Sequence, residues 1–200
     1  MIETVKNIIT NVLKAIYQPF FFALVLSVFV LFFVMLLDKY KDGSFKDKVW
    51  AALKEWKNRF LSTAKFRRLF YLVFFVVMLL FKTMLNREVW MSPLRNVIGV
   101  WSFTDTDGNY TTEIIENTIL FIPLIFFLFF FLETTSKKTS KFFAVMGRAL
   151  VISFLSSFTI EMLQLFLRLG TWQLSDLAFN TLGGLIGGFI YWVSAKCRRV

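Results

Sequence analysis

Five apolar runs, each close to the length needed to cross the hydrocarbon core of a bilayer, constrain this chain more than any motif does. They are Pro19–Leu37, Leu69–Leu85, Asn117–Leu132, Phe142–Leu167 and Leu177–Ala195. The first and last carry no formal charge, and the third is short enough to begin a turn earlier. Lys82 stands near the end of the second, where its stem can snorkel to the head groups. Lipid offers no water to backbone N–H and C=O groups, so such runs fold as helices. Composition agrees. Of 200 residues, 57% are hydrophobic and 27 are Phe, more apolar surface than a soluble domain of this length buries. The sequence therefore predicts an all-α membrane protein: a five-span transmembrane bundle with interfacial amphipathic helices.

Charge sets the expected orientation, because Lys and Arg concentrate in cytoplasmic loops. Segment 38–68 alone holds ten of them. Lys137, Lys138 and Lys141 precede the fourth run, and Lys196, Arg198 and Arg199 follow the fifth. With five spans these segments share one side, and Lys6, Lys14, Arg87, Arg95 and Arg168 fall on the other. The expected arrangement is a multi-pass protein of a plasma membrane, N-terminus out and C-terminus in. The net charge of +10 is then a topology signal, and no basic soluble domain remains to bind nucleic acid. The first run lacks a small-residue cleavage site and is followed by a basic flank, so it is expected to remain as a span rather than leave as a signal peptide. Within the basic segment, Phe45, Val49, Leu53, Trp56 and Phe60 recur at helical spacing among cations, which predicts an interfacial helix over 44–65. Ile2, Val5, Ile9, Val12 and Ile16 form a weaker version over 2–16. The chain divides on this reading into residues 1–85, with two spans and the basic segment, and 86–200, with a long outer loop and three spans.

Several chemistries are excluded. The chain has no His, which removes imidazole-based triads, HExxH zinc sites and most proton relays. Cys197 is alone, so no intrachain disulfide forms. Asp105-Thr-Asp107-Gly108-Asn109 opens like a calcium loop, but Gly108 follows Asp107 directly and the EF-hand spacing fails. A tight turn at Asp107-Gly108 is expected instead, beside a glycosylation sequon at Asn109. No cofactor and no metal are expected.

The stretch from Ser153 to Gly188 combines apolar length with polar interruption. Ser153, Ser157, Glu161, Gln164 and Arg168 are spaced 4, 4, 3 and 4, on one helical face. Asp176, Asn180, Gly183, Gly184 and Gly187 form a second stripe, whose glycines permit close helix approach. A hairpin folding near Trp172 would set Arg168 against Asp176, Gln164 against Asn180, Glu161 against Gly183 and Ser157 against Gly187. Asn117 would lie at the same depth. Ionisable groups at membrane depth usually mark a site. The candidate binding residues are thus Asn117, Glu161, Gln164, Arg168, Asp176 and Asn180, with Glu161 the candidate catalytic group. A structural reading stands beside it, in which Asp176 caps a helix, Asn180 and Gln164 bridge helices, and Glu161 is one half of a buried ion pair.

The same residues carry a resemblance. Glu161-x-x-Gln164, Gly170-Thr171 and Asp176-x-x-x-Asn180-Thr181-x-Gly183-Gly184-x-x-Gly187, with Asn117-x-x-x-Phe121-Ile122-Pro123 and Ser92-Pro93-Leu94 upstream, resemble the signature of the VanZ-like family over roughly residues 90–192. The chain departs from that signature at Ile125, where Gly is common, and at Gln173 and Ser175, where acids are common. Its Arg168 is one position off the family's Arg. The resemblance implies a bacterial integral membrane protein of the cell envelope linked to low-level resistance to the glycopeptide teicoplanin, and it implies no settled biochemical activity. The expected partners are membrane lipids and a lipid-linked cell-wall precursor or lipoglycopeptide, met at an outward-facing polar site. Two other classes stay open: an intramembrane enzyme acting on an envelope lipid with Glu161 as general base, and a transporter or flippase subunit.

Overall fold

The computed structural model describes residues 2–39, 44–85, 87, 89, 91–104, 110–133 and 141–198. The turn expected at Asp107-Gly108, the sequon residue Asn109, the loop cations Lys137 and Lys138, and Arg199 lie outside them. The elements are α1 (Ile2–Lys39), α2 (Phe45–Ser62), α3 (Ala64–Leu80) running into a π-turn (Phe81–Leu85), α4 (Glu113–Leu132), α5 (Phe142–Leu167) and α6 (Leu174–Cys197). Among the described residues, five segments are long and apolar enough to cross a membrane: Tyr17–Leu37, Ala64–Leu85, Glu113–Leu132, Phe142–Leu167 and Leu174–Cys197. Each contains the run expected of it, and the third does begin a turn earlier. Large apolar side chains such as Phe21, Phe29, Phe33, Leu155 and Phe166 point outward, as lipid-facing residues do.

One expectation about the N-terminal segment changes. Residues 2–16 do not form a separate surface helix but continue into the first span as one helix of 38 residues. Pro19 lies inside it. Helix α2 is separate and amphipathic as expected, but part of its apolar face is buried in protein. Trp56 and Phe60 pack with Phe66, Phe70, Leu31 and Met35 of α3 and α1. Their rings stack at 5.2 Å, and both meet Phe70 edge-on. Trp50, Leu53 and Leu61 remain exposed.

The centre of the bundle is α4 against α6, with α5 on the other side of α6. Gly183 and Gly187 face α4, where a Cβ at Gly183 would lie 3.0 Å from the Thr118 carbonyl carbon and 3.1 Å from Phe121 Cβ. Gly184 and Gly188 face α5, and a Cβ at Gly188 would lie 2.6 Å from that of Ala149. The two glycine pairs therefore serve two different neighbours. Ile125 of α4, fully buried, packs with Phe129, Val145 and Ala149.

The bundle has two distinct ends. At one, Arg198 just beyond α6 pairs with Glu133 just beyond α4 at 2.7 Å, and Arg68 donates to the Phe130 carbonyl at 3.0 Å. Cations there suit the negative pole of α4. At the other end, residues 87, 89 and 91–104 lie as an irregular cap over the starts of α4 and α6. Pro93, Val97 and Ile98 carbonyls accept the N–H groups of Trp172, Leu174 and Ser175 at 2.9, 2.9 and 3.3 Å. These cap carbonyls satisfy first-turn donors of α6 that no capping side chain serves. Gly99, at φ +74°, allows the closest approach, because a Cβ there would lie 2.9 Å from Ser175 Cβ.

Candidate functional site

The polar residues of α5 and α6 gather beneath this cap, but in a different register from the one expected. Asn180 Nδ2 donates to Ser157 Oγ at 2.9 Å, so Ser157 meets Asn180 rather than Gly187. That is a slide of about two helical turns. Its cause is the connection between the helices. Arg168 adopts the left-handed conformation at the end of α5 and Gly170 follows at φ +83°. The chain then doubles back, so that the N–H of Gln173 reaches Glu161 Oε2 at 3.0 Å. Helix α6 therefore starts at the depth of Glu161 rather than of Arg168.

The other three expected pairs are displaced as well. Glu161, 2% exposed, receives a backbone N–H and does not face Gly183. Gln164 donates to the Thr83 carbonyl at 2.7 Å rather than meeting Asn180. Arg168 is exposed and does not pair with Asp176. Arg87 takes that place, with Nη2 at 3.7 Å from Asp176 Oδ2, while Asn117 Nδ2 donates to Asp176 Oδ1 at 2.7 Å. Asn117 and Asp176 are thus brought together as the common depth predicts, on α4 and in the first turn of α6. The positive pole of α6 favours the carboxylate there. Arg87 also lies across Gly170, where its Nη1 would be 3.3 Å from a Cβ.

Sequence reasoning missed the residues that complete the arrangement. Lys82 does not simply snorkel. The π-turn carries it toward α4, where Nζ pairs with Glu116 Oε2 at 2.7 Å. Thr112 Oγ1 donates to the other Glu116 oxygen at 2.6 Å. The π-turn also presents the Thr83 carbonyl to Gln164. The available signal was charge at matching ends of the second and third spans, namely Lys82, Arg87, Glu113 and Glu116. Ser175 Oγ donates to Gln173 Oε1 at 3.3 Å and accepts the Val100 N–H at 3.1 Å.

An open cavity of about 340 Å³ lies beside this network. Lys82, Arg87, Tyr110, Thr111, Thr112, Glu113, Glu116 and Asn117 line it. Both signs of charge and three hydroxyls converge there, with Asn117 and Arg87 shared between the cavity wall and the buried Asp176.

A family model described as VanZ/LLP1 matches residues 66–195, from the first turn of α3 almost to the end of α6. The chain belongs to the VanZ/LLP1 family. Among curated proteins, Protein VanZ of Enterococcus faecium is 31% identical over 126 residues, which cover 63% of this chain and 71% of that one. No solved structure matches the chain. The family match includes the π-turn, the cap, the three interlocked helices and every residue of the site just described. This VanZ-family chain is accordingly a multi-pass membrane protein, and the family segment takes in all or nearly all of four of the five spans found among the described residues.

Proposed function

We propose that this VanZ-family protein works in a bacterial plasma membrane, N-terminus out and C-terminus in, as a binder of a polar envelope head group. The cavity beneath the cap faces outward on this reading. Its occupant is the head group of a lipid-linked cell-wall precursor or of a lipoglycopeptide, and occupancy lowers the effective engagement of a teicoplanin-class antibiotic with the envelope. The observation that supports this best is the division of labour among the polar residues. Glu161, Gln164, Asp176 and Asn180 are each 2–6% exposed and each has a protein partner. They hold helices and cap in place. Lys82, Arg87, Thr111, Glu116 and Asn117 line open space as well, and Arg87 and Asn117 connect that lining to the buried Asp176.

The mixture of charges narrows the ligand. Lys82 and Arg87 are balanced by Glu113 and Glu116, so a bare anion gains little net attraction. A hydroxyl-rich sugar or a zwitterionic group can use donors and acceptors together. Binding is favoured over catalysis because Glu161, the candidate general base, already accepts a backbone N–H and lies away from the cavity lining.

Antibiotic susceptibility tests the proposal. Thr111→Trp fills the cavity and leaves Glu161, Gln164, Asp176 and Asn180 unsubstituted. Cells expressing it at normal membrane abundance should be as susceptible to teicoplanin as cells lacking the protein, whereas Glu161→Gln should keep protection. Protection surviving Thr111→Trp but lost in Glu161→Gln would favour the enzyme reading instead.

A further inference from the structure

A second cavity, of about 350 Å³, opens at the opposite end of the bundle, where α2 turns into α3. Its lining is Arg59, Thr63, Lys65, Phe66, Leu69 and Phe131. This volume falls in the range of about 300–1,000 Å³ usual for small-molecule sites. Three properties separate it from the cavity under the cap. The lining contains two cations and no acid. Its remaining surface is largely apolar, from two aromatic rings and a leucine. It also sits at the level where two spans end, since Phe66 belongs to the first turn of α3 and Phe131 to the last turn of α4.

The cations are available. Lys65 is exposed and makes no ion pair among the described residues. Arg59 uses Nε on Glu55 at 2.8 Å, and its terminal nitrogens make no hydrogen bond among the described residues. The neighbouring cations are otherwise engaged. Arg67 donates to the carbonyls of Phe60 and Leu61 at 3.1 and 2.8 Å, and Arg68 donates to Phe130 while lying 3.8 Å over its ring. Lys65 without an ion pair and the open terminal nitrogens of Arg59, above an apolar floor at the depth where head groups meet acyl chains, suit an amphiphile with a negative head.

We propose that this cavity binds one anionic glycerophospholipid of the surrounding leaflet. Its phosphate sits between Arg59 and Lys65 with the Thr63 hydroxyl as a further donor, and an acyl chain runs along Phe66, Leu69 and Phe131. The site is independent of the head-group site under the cap, and it anchors the α2–α3 corner to the membrane surface.

The full-length chain, purified in detergent and exposed to equimolar phosphatidylglycerol and phosphatidylcholine of matched acyl chains, provides the test. Native mass spectrometry reads which lipid is retained. The wild-type chain should enrich phosphatidylglycerol by about fivefold or more, the effect of one unneutralised cation near a phosphate. Arg59→Gln combined with Lys65→Gln should abolish the preference. Lys46→Gln combined with Lys57→Gln, on the exposed part of α2, should leave it unchanged. Leu69→Trp, which fills the apolar floor, should reduce retention of both lipids while the thermal transition persists. No preference in the wild type, equal loss in both Gln pairs, or undiminished retention by Leu69→Trp would overturn the proposal.

Discussion

Two glycine substitutions on neighbouring helices should have opposite signs. Gly183 of α6 faces the backbone of α4, where an added Cβ meets the Thr118 carbonyl, lies 3.0 Å from its carbon and 3.1 Å from Phe121 Cβ. A carbonyl cannot rotate away as a side-chain tip can, so the helices must separate. Overpacking of this kind costs roughly 1–3 kcal/mol, and a backbone obstacle belongs near the upper end. Alanine recovers up to about 1 kcal/mol of helix propensity, leaving a net loss of about 2 kcal/mol. Gly147 of α5 has nothing within 4 Å of its would-be Cβ, so Gly147→Ala should only gain, by roughly 0.5–1 kcal/mol. The two variants then differ by about 3 kcal/mol. For a chain of this size that corresponds to roughly 6–12 °C between their melting temperatures. Thermal unfolding in one detergent, followed by circular dichroism, reads it directly. Equal melting temperatures, or stabilisation by Gly183→Ala, would refute the close approach of α6 to α4.

Three further outcomes follow from the geometry. Asn117→Ala removes a direct donor to a buried carboxylate and should lower stability by about 1.5–3 kcal/mol in the same melt, whereas Asp176→Asn can keep the Asn117 bond, loses only the looser Arg87 contact and should cost less. Gly99→Ala forces a side chain into the left-handed region and against Ser175, so it should detach the cap; limited proteolysis should then cut within 91–104 faster than in the wild type. If the N-terminus is out and the C-terminus in, a Cys introduced at residue 107 should react with an impermeant thiol reagent on intact cells, and the exposed native Cys197 should not; the reverse pattern would invert the topology.

The spans were legible because a bilayer requires length and apolarity, both visible in one dimension. The grouping of Asn117 with Asp176 was legible from depth along their spans. The pairing across α5 and α6 was not. It depends on how far the chain between Leu167 and Leu174 doubles back, which Arg168 and Gly170 set through their backbone conformations. Lys82 was read as a snorkelling cation and Arg87 only as an outer-side charge, because their roles depend on the π-turn and on the fold of the cap. Neither leaves a periodic trace in the sequence. The face of each glycine likewise depended on a third helix. The stripe that suggested contact with α5 alone divides between two neighbours, with Gly183 and Gly187 toward α4 and Gly184 and Gly188 toward α5.

The central claim is that the cavity lined by Lys82, Arg87, Thr111, Glu116 and Asn117 receives a polar envelope head group. Mass spectrometry of the lipids that stay with the purified wild-type protein and with Thr111→Trp tests it most directly. The account predicts a sugar-bearing or zwitterionic envelope lipid on the wild-type chain that is missing from the cavity-filled variant, at equal yield and melting temperature. The same lipids in the same amounts on both proteins would contradict it.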